Sequence, residues 1–328
     1  MPAQDCEVAV LGAGPVGMVA ALELSKRYRT VLITCGLPSA DEIPRVEAVP
    51  ASLLALLIEY GIHPRKIGVG RLHESRLTAW DDEHYAERVG PAAAHVERPA
   101  LDLAILEAVI ASRRVDIVTR PPSHGPDTLA QLRRQAVRLV DSTGRSALTA
   151  GRKIHPARPW AARTFVTSTR GRDAGGELRI AALPGGYAYR LGSANHLLLG
   201  VVGRGKMLAG SPAEVERSLR EHGAGWLLEG LPTVGEMTPG RTGPASVQWA
   251  EGDTAVRRVG DAALARDALS SQGLANGISE ALYCAAIKDE YDEHLFALRQ
   301  REQRAAHLRS LAGLIDGCRF RAAGAWKE

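Results

Sequence analysis

The stretch Gly12-Ala13-Gly14-Pro15-Val16-Gly17, set directly behind the apolar run Val8-Ala9-Val10-Leu11, narrows the possible folds more than any other feature of this chain. A short, continuously apolar run of this kind reads as a strand buried on both faces. Residues 15–28 place Val16, Val19, Ala20 and Leu24 at helical spacing, and Thr30-Val31-Leu32-Ile33 reads as the next strand. The three pieces form a β-α-β unit with a right-handed crossover. In such a unit Gly12 allows the tight turn and Gly14 lets a pyrophosphate approach the backbone, while Gly17 lets helix pack on strand. The first helical turn, which begins with Pro15 and Val16, offers free N–H groups from Val16 onward and the positive end of the helix dipole. The pattern predicts dinucleotide binding.

One part of that pattern is missing. A carboxylate normally closes the second strand to hold a ribose, but 23 positions after Gly12 stands Cys35. Asp41 or Glu42 would then reach back from the following loop, or backbone and water take over this contact.

A second glycine-punctuated stretch lies far along the chain. Gly260-Asp261-Ala262-Ala263 is followed by Ser270-Ser271-Gln272-Gly273-Leu274-Ala275-Asn276-Gly277 at the start of another predicted helix. Asp261, ending a strand, can accept hydrogen bonds from a ribityl chain. The amides of Gly273, Leu274, Ala275 and Asn276 can face the pyrimidine edge of a flavin, where the helix dipole favours an anionic reduced ring. The pair of stretches therefore points to FAD held at both ends.

Between these stretches the pattern is split. Helices are predicted at 51–60, from Arg98 through Ile110 behind Pro99, at 212–230 and over most of 272–311. Residues 67–88 read as an antiparallel hairpin, 115–119 and 137–141 as strands flanking a Pro/Gly segment from Pro121 to Pro126. Residues 163–169, 178–183, 186–191 and 196–202 read as antiparallel strands, and 244–259 leads back into strands. The expected fold class is α/β, a Rossmann-like FAD-binding domain interleaved with an antiparallel-sheet α+β substrate domain. Residues 1–60, 92–152 and 250–298 form the first, 61–91 and 153–249 the second, and 299–328 a helical tail.

Composition excludes several classes. The 328 residues, 45% of them hydrophobic and 24% charged, are enough to bury roughly three quarters of the unfolded surface. The net charge of +4 sits partly in the tail (Arg299, Arg301, Arg304, Arg309, Arg319, Arg321, Lys327) without a nucleic-acid-binding motif, so a solvated face and no nucleic-acid partner are expected. No apolar run approaches the roughly 18 residues of a membrane span. Cys6, Cys35, Cys284 and Cys318 have no metal-ligand spacing, so no metal is expected. Reduced thiols, and an N-terminus lacking a basic segment before its apolar run, lead to the expectation of a cytoplasmic protein.

With these motifs together, the chain resembles the flavin monooxygenase superfamily with the para-hydroxybenzoate-hydroxylase-like fold, over nearly its whole length. Arg98 in Glu97-Arg98-Pro99-Ala100-Leu101-Asp102 matches that family's helix-initial, FAD-contacting arginine. Asp141-Ser142-Thr143-Gly144-Arg145 resembles the D-A-T-G motif of the halogenase and geranylgeranyl-reductase-like subgroup, which implies that Gly144 borders the cofactor. Arg45-Val46-Glu47-Ala48-Val49-Pro50 is similar to the subgroup's G-E-S-x-P stretch, with Val46 and Ala48 in place of small polar residues, and makes Glu47 a candidate site carboxylate. The W-x-W-x-I-P motif of halogenases is absent and the five tryptophans stand apart, so halogenation is not expected. Gly186-Tyr187-Ala188-Tyr189-Arg190, Gly200 to Gly205 and Pro244 to Ala250 are similar to flavoproteins that mature quinone-bearing oxidases by hydroxylating a tryptophan side chain in a partner protein.

The resemblance implies an FAD-dependent monooxygenase that hydroxylates an electron-rich aromatic, a small molecule or a tryptophan in a partner protein, through a flavin C4a-hydroperoxide. Electrons would come from transiently bound NAD(P)H or from a flavin reductase. Two alternatives share the fold: an FAD-dependent reductase or dehydrogenase, and a non-catalytic flavin-binding module that escorts a partner. In the predicted hairpin, His73 is a further catalytic candidate. Its neighbour Glu74 should point to the opposite strand face, so the two cannot act as a pair.

Overall fold

The structure, a computed structural model, describes residues 6–119, 138–155, 160–169, 177–204, 208, 210–240, 243–245, 247–251, 256–323 and 326. The Pro121–Pro126 segment lies outside them. Strands β1 (Val8–Leu11), β2 (Thr30–Thr34), β6 (Val115–Thr119), β7 (Arg138–Asp141) and β16 (Val256–Arg258) form one parallel sheet in the order β16-β7-β1-β2-β6. β1 is central, flanked in register by Thr30 and Arg138 at Val8. It is buried on both faces, which is why its sequence is apolar without alternation. Val8 and Val10 pack into the core with α1 (Pro15–Leu24), α3 (Arg98–Ser112) and α6 (Gly273–Ala286), while Ala9 and Leu11 pack with Val31, Ile33, Leu139 and Val256 on the other face.

The second sheet has nine strands. Its path runs β13 (Thr238–Pro239), β9 (Ala161–Ser168), β12 (His196–Gly203), β11 (Gly186–Gly192), β10 (Leu178–Leu183), β4 (Leu72–Ala79), β5 (Ala86–Glu97) and β3 (Val46–Pro50). β14 (Gly243–Pro244) adds to β9, and only the β10–β4 contact on this path is parallel. The hairpin expected at 67–88 therefore extends to Glu97. Both its distal half and β3 belong to this sheet, although 1–60 and 92–152 were assigned to the nucleotide domain. One face carries Phe165, Ala181, Ala188, Leu199 and Val201 against α4 (Pro212–Glu221). The other, with Ala162, Ile180, Tyr189 and Leu191, faces the two cavities described below. A two-stranded ribbon, β8 (Arg152–Ile154) with β15 (Gln248–Glu251), completes the strands.

Two expected helices are divided. The one at 212–230 ends at Glu221 because Gly223 turns left-handed (φ 72°), and a short 3-10 turn follows at Gly225–Leu228. The one at 272–311 breaks after α6. Asp289 then caps α7 (Glu290–Asp316) by accepting from Asp292 N at 3.0 Å, so position 299 falls inside α7. The remaining helices are α2 (Ala51–Glu59) and α5 (Asp261–Leu264). Beyond α7, buried Trp326 meets Trp80 and Trp160 edge-on and donates to Leu183 O at 2.9 Å, fastening the C-terminal residues to the second sheet. Among the described residues no helix is long and apolar enough to cross a membrane.

Candidate functional site

A cleft of about 920 Å³ opens between the two sheets, at the upper end of the roughly 300–1,000 Å³ typical of cofactor sites. At one end lies the β1–α1 turn. Gly12 has φ 97°, and a Cβ there would sit 2.7 Å from Ser142 O. A Cβ on Gly17 would be 2.0 Å from Gly12 O, so this glycine serves the helix–strand contact and does not line the cleft. Gly14 differs: a Cβ there would meet no protein atom within 4 Å, and the residue opens on the cleft. Gly14 caps α1 without a side-chain hydrogen bond, and Pro15 has no N–H to donate. The first-turn amides thus have no side-chain partner, as an anion-binding helix start requires.

The second glycine stretch lines the same cleft. Gly260 (φ 61°) donates its N–H to Glu280 Oε2 at 2.8 Å, and Asp261, Gly273 and Leu274 line the cleft. Asp261 has Arg145 Nε at 3.9 Å, and burial raises its pKa. Nearby Asp267 also lines the cleft; burial pushes its carboxyl up to about 6. Behind this end, buried Glu280 faces Arg266 at 3.4 Å and is pushed up to about 7, chiefly by burial. The two stretches touch through Val16, whose methyl groups fill a notch between Gly260 and Gly277.

Cys35 follows β2 and lines the cleft with its side chain exposed. Of the two carboxylates expected to reach back, Glu42 lines the cleft, paired with Arg45 at 3.2 Å, and Asp41 does not. Arg98 begins α3, where Nη1 meets Glu47 Oε1 at 2.8 Å and Nε meets Asp102 Oδ1 at 2.7 Å. The strand pairing of β3 with β5 sets Glu47 beside this helix start. These two carboxylates raise the guanidinium pKa against the opposing effect of its burial, and burial raises that of Asp102.

Gly144 (φ 64°) also opens on the cleft. Its loop is shaped by Asp141, which sequence reasoning quoted but did not single out. Fully buried, Asp141 accepts from Thr143 N and Oγ1 at 2.9 and 2.6 Å, and from Thr149 N and Oγ1 at 2.9 and 2.7 Å. The Asp-Ser-Thr-Gly spacing carried that signal; Arg145 and Asp267 had none comparable.

Besides Gly17, three expected site residues lie off the cleft. Ala275 and Asn276 sit past the first residues of α6, and Asn276 lines a separate cavity. His73 stacks on His95 with ring centroids 5.0 Å apart, and a bulge between His73 and Ser75 interrupts the strand alternation. Burial pushes His95 down to about 4, so the His95 ring in this stack is neutral.

No family model matches the chain, and no curated protein matches it either. Solved structures do. The fold is the one shared by flavin-dependent monooxygenases and halogenases. The peptidyl tryptophan dihydroxylase QhpG, described as essential for tryptophylquinone cofactor biogenesis, superposes with TM-score 0.68 at 18% identity over 95% of this chain and 74% of its own. PqsL of P. aeruginosa, solved with 2-aminobenzoylacetate, gives TM-score 0.70 at 14% identity over 98% of this chain and 100% of its own. The flavin-dependent halogenase CmlS gives 0.68 at 16% identity over 94% of this chain and 64% of its own.

Proposed function

We propose that this chain is an FAD-dependent monooxygenase that hydroxylates an electron-rich aromatic. The observation that carries the reading is the meeting of both glycine stretches in one cleft, whose lining includes the first residues of both α1 and α6. In this reading the α1 amides and Gly14 take the pyrophosphate, Cys35 and Glu42 flank the adenosine ribose, and Arg98, fixed by Glu47 and Asp102, holds the cofactor side-on. Asp261 takes the ribityl hydroxyls, and the first α6 amides stabilise negative charge on the ring. Bound and reduced, the flavin supplies dioxygen activation and oxygen transfer.

The protein's own contribution is orientation and exclusion of water. Ala162, Tyr189, Leu191 and Ala245 give the cleft an apolar wall on the second sheet, suited to a flat aromatic ring. A tryptophan side chain of a partner protein is the substrate class we favour, because QhpG combines this fold with a peptidyl tryptophan substrate. Electrons would arrive from NAD(P)H bound transiently or from a separate flavin reductase. The scattered spacing of Cys6, Cys35, Cys284 and Cys318 suits a cytoplasmic setting, which belongs to this reading. The test is to photoreduce the FAD-loaded protein and admit ¹⁸O₂ with tryptophan-bearing peptides and small indoles. A product heavier by one ¹⁸O atom is expected; reoxidation without label in any product would contradict monooxygenation.

A further inference from the structure

Three of the tryptophans that stand apart in the sequence come together in the fold. Trp80, just past β4, and Trp160, just ahead of β9, meet Tyr187 of β11 with ring centroids 6.2 and 6.0 Å apart. Trp326 closes the group, 5.6 Å from Trp80 and 4.9 Å from Trp160. On its other side Tyr187 meets Tyr189 at 6.4 Å, and Tyr189 lines the cleft. Gly200, opposite on β12, makes room for that ring, since a Cβ there would lie 2.2 Å from Tyr189 Cζ. All five contacts fall within the roughly 4.5–7 Å of interacting aromatic pairs. Aromatic residues are only 5% of this chain, so five touching rings leading away from the cleft are more than composition alone would supply.

The rings differ in where a positive charge can rest. Tyrosine gives up its phenolic proton when it is oxidised. Burial raises the pKa of Tyr189 to about 12 and that of Tyr187 well above the usual tyrosine range, and the Tyr187 hydroxyl has no acceptor for its proton among the described residues. An indole can lose an electron and keep its proton. Trp80 donates its N–H to Leu314 O at 2.7 Å and Trp326 to Leu183 O at 2.9 Å, and a carbonyl oxygen so placed stabilises positive charge on the ring. The Arg204 guanidinium over Trp160, 5.8 Å from its centroid, opposes charge there. Trp326 is buried, whereas Trp80 is half-buried and lines a second cavity, of about 700 Å³. We infer that these rings form an electron-transfer path that starts at Tyr189 in the cleft, crosses Tyr187 to the indoles, and has Trp80 as its outlet to the second cavity. The inference rests on the flavin reading of the cleft, which supplies the oxidant. When no substrate takes an oxidising equivalent, the oxidant gains one electron and Trp80 loses one, becoming a radical cation that keeps its N–H. A soluble one-electron donor in the second cavity then returns the electron and is itself oxidised.

Transient absorption on the FAD-loaded full chain tests this, with a light pulse driving the oxidation. A tryptophan radical should follow the pulse, and added ascorbate should shorten its lifetime in proportion to concentration. W80F should lose most of the radical, and W249F, at an indole of β15 outside this group, should lose none. Bound FAD without a tryptophan radical, a lifetime indifferent to ascorbate, an undiminished radical in W80F, or an equal loss in W249F would each overturn the path. If W80F fails to fold, the radical of the parent and its response to ascorbate still decide. Failure to take up FAD at all would instead sink the flavin reading, and the path with it.

Discussion

Val16 and Gly277 interlock: a Cβ built on Gly277 would lie 2.7 Å from Val16 Cγ2 and 3.1 Å from Gly260 Cα. The first turn of α1 thereby rests on the first turns of α6, and the two glycine stretches, distant in sequence, line one cleft side by side.

Gly277→Ala sets two effects against each other. Helix propensity favours alanine by about 1 kcal/mol, whereas overpacking a fixed contact costs about 1–3 kcal/mol. The Gly260 backbone cannot move aside easily, so net destabilisation of about 1 kcal/mol is expected in urea unfolding. Adding Val16→Ala should recover part of it, giving a coupling of at least about 0.5 kcal/mol in the double-mutant cycle. Additive losses would show that the notch does not join the two helices.

Gly17 and Gly14 should behave oppositely. Gly17→Ala places a Cβ 2.0 Å from Gly12 O, a backbone atom, and should destabilise by about 3 kcal/mol or more. Gly14→Val meets no protein atom near its Cβ and should unfold within about 0.5 kcal/mol of the parent. Thermal and urea unfolding of the pair decide this.

Arg98→Ala leaves Glu47 and Asp102 facing each other without their shared cation. Breaking a fully buried pair costs about 3–5 kcal/mol; with Glu47 32% exposed, about 2–3 kcal/mol is expected at pH 8. The loss should be smaller at pH 5, because burial already raises the pKa of Asp102 and protonation relieves the repulsion. Equal losses at both pH values would count against this pairing.

Two opposed sets of groups should nearly cancel in the stability between pH 8 and 6.5. Glu280, raised to about 7, and Asp267, raised to about 6, bind protons in the folded state at pH values where the unfolded chain has released them, which favours the fold by about 1 kcal/mol as pH falls through that window. His95 and His307, held down to about 4, stay neutral when folded while their unfolded counterparts begin to charge, which offsets most of that gain. Glu280→Gln should therefore lose stability, by about 0.8 kcal/mol relative to the parent, as pH falls from 8 to 6.5; an unchanged profile would assign the gain to other groups.

The β1–α1–β2 unit was legible because a doubly buried strand, a glycine turn and an apolar helix each leave a local mark. So were the cleft positions of Asp261 and Gly144, which sit beside turns that only glycine tolerates. The β3 strand was not, since Val46 to Pro50 gains its extended form from pairing with β5, far off in sequence. Asp141 and Arg266 are polar residues whose partners are set by burial, and burial depends on tertiary packing. His73 misled for the converse reason: the stack on His95 that occupies it comes from a neighbouring strand.

The most direct test of the account is a calorimetric titration of FAD into the apo-protein and into Gly14→Val. One FAD per chain should bind the parent, and Gly14→Val, equally stable, should bind at least tenfold more weakly. Failure of the parent to bind FAD, or full affinity in Gly14→Val, would contradict a cleft that holds the FAD pyrophosphate at the start of α1.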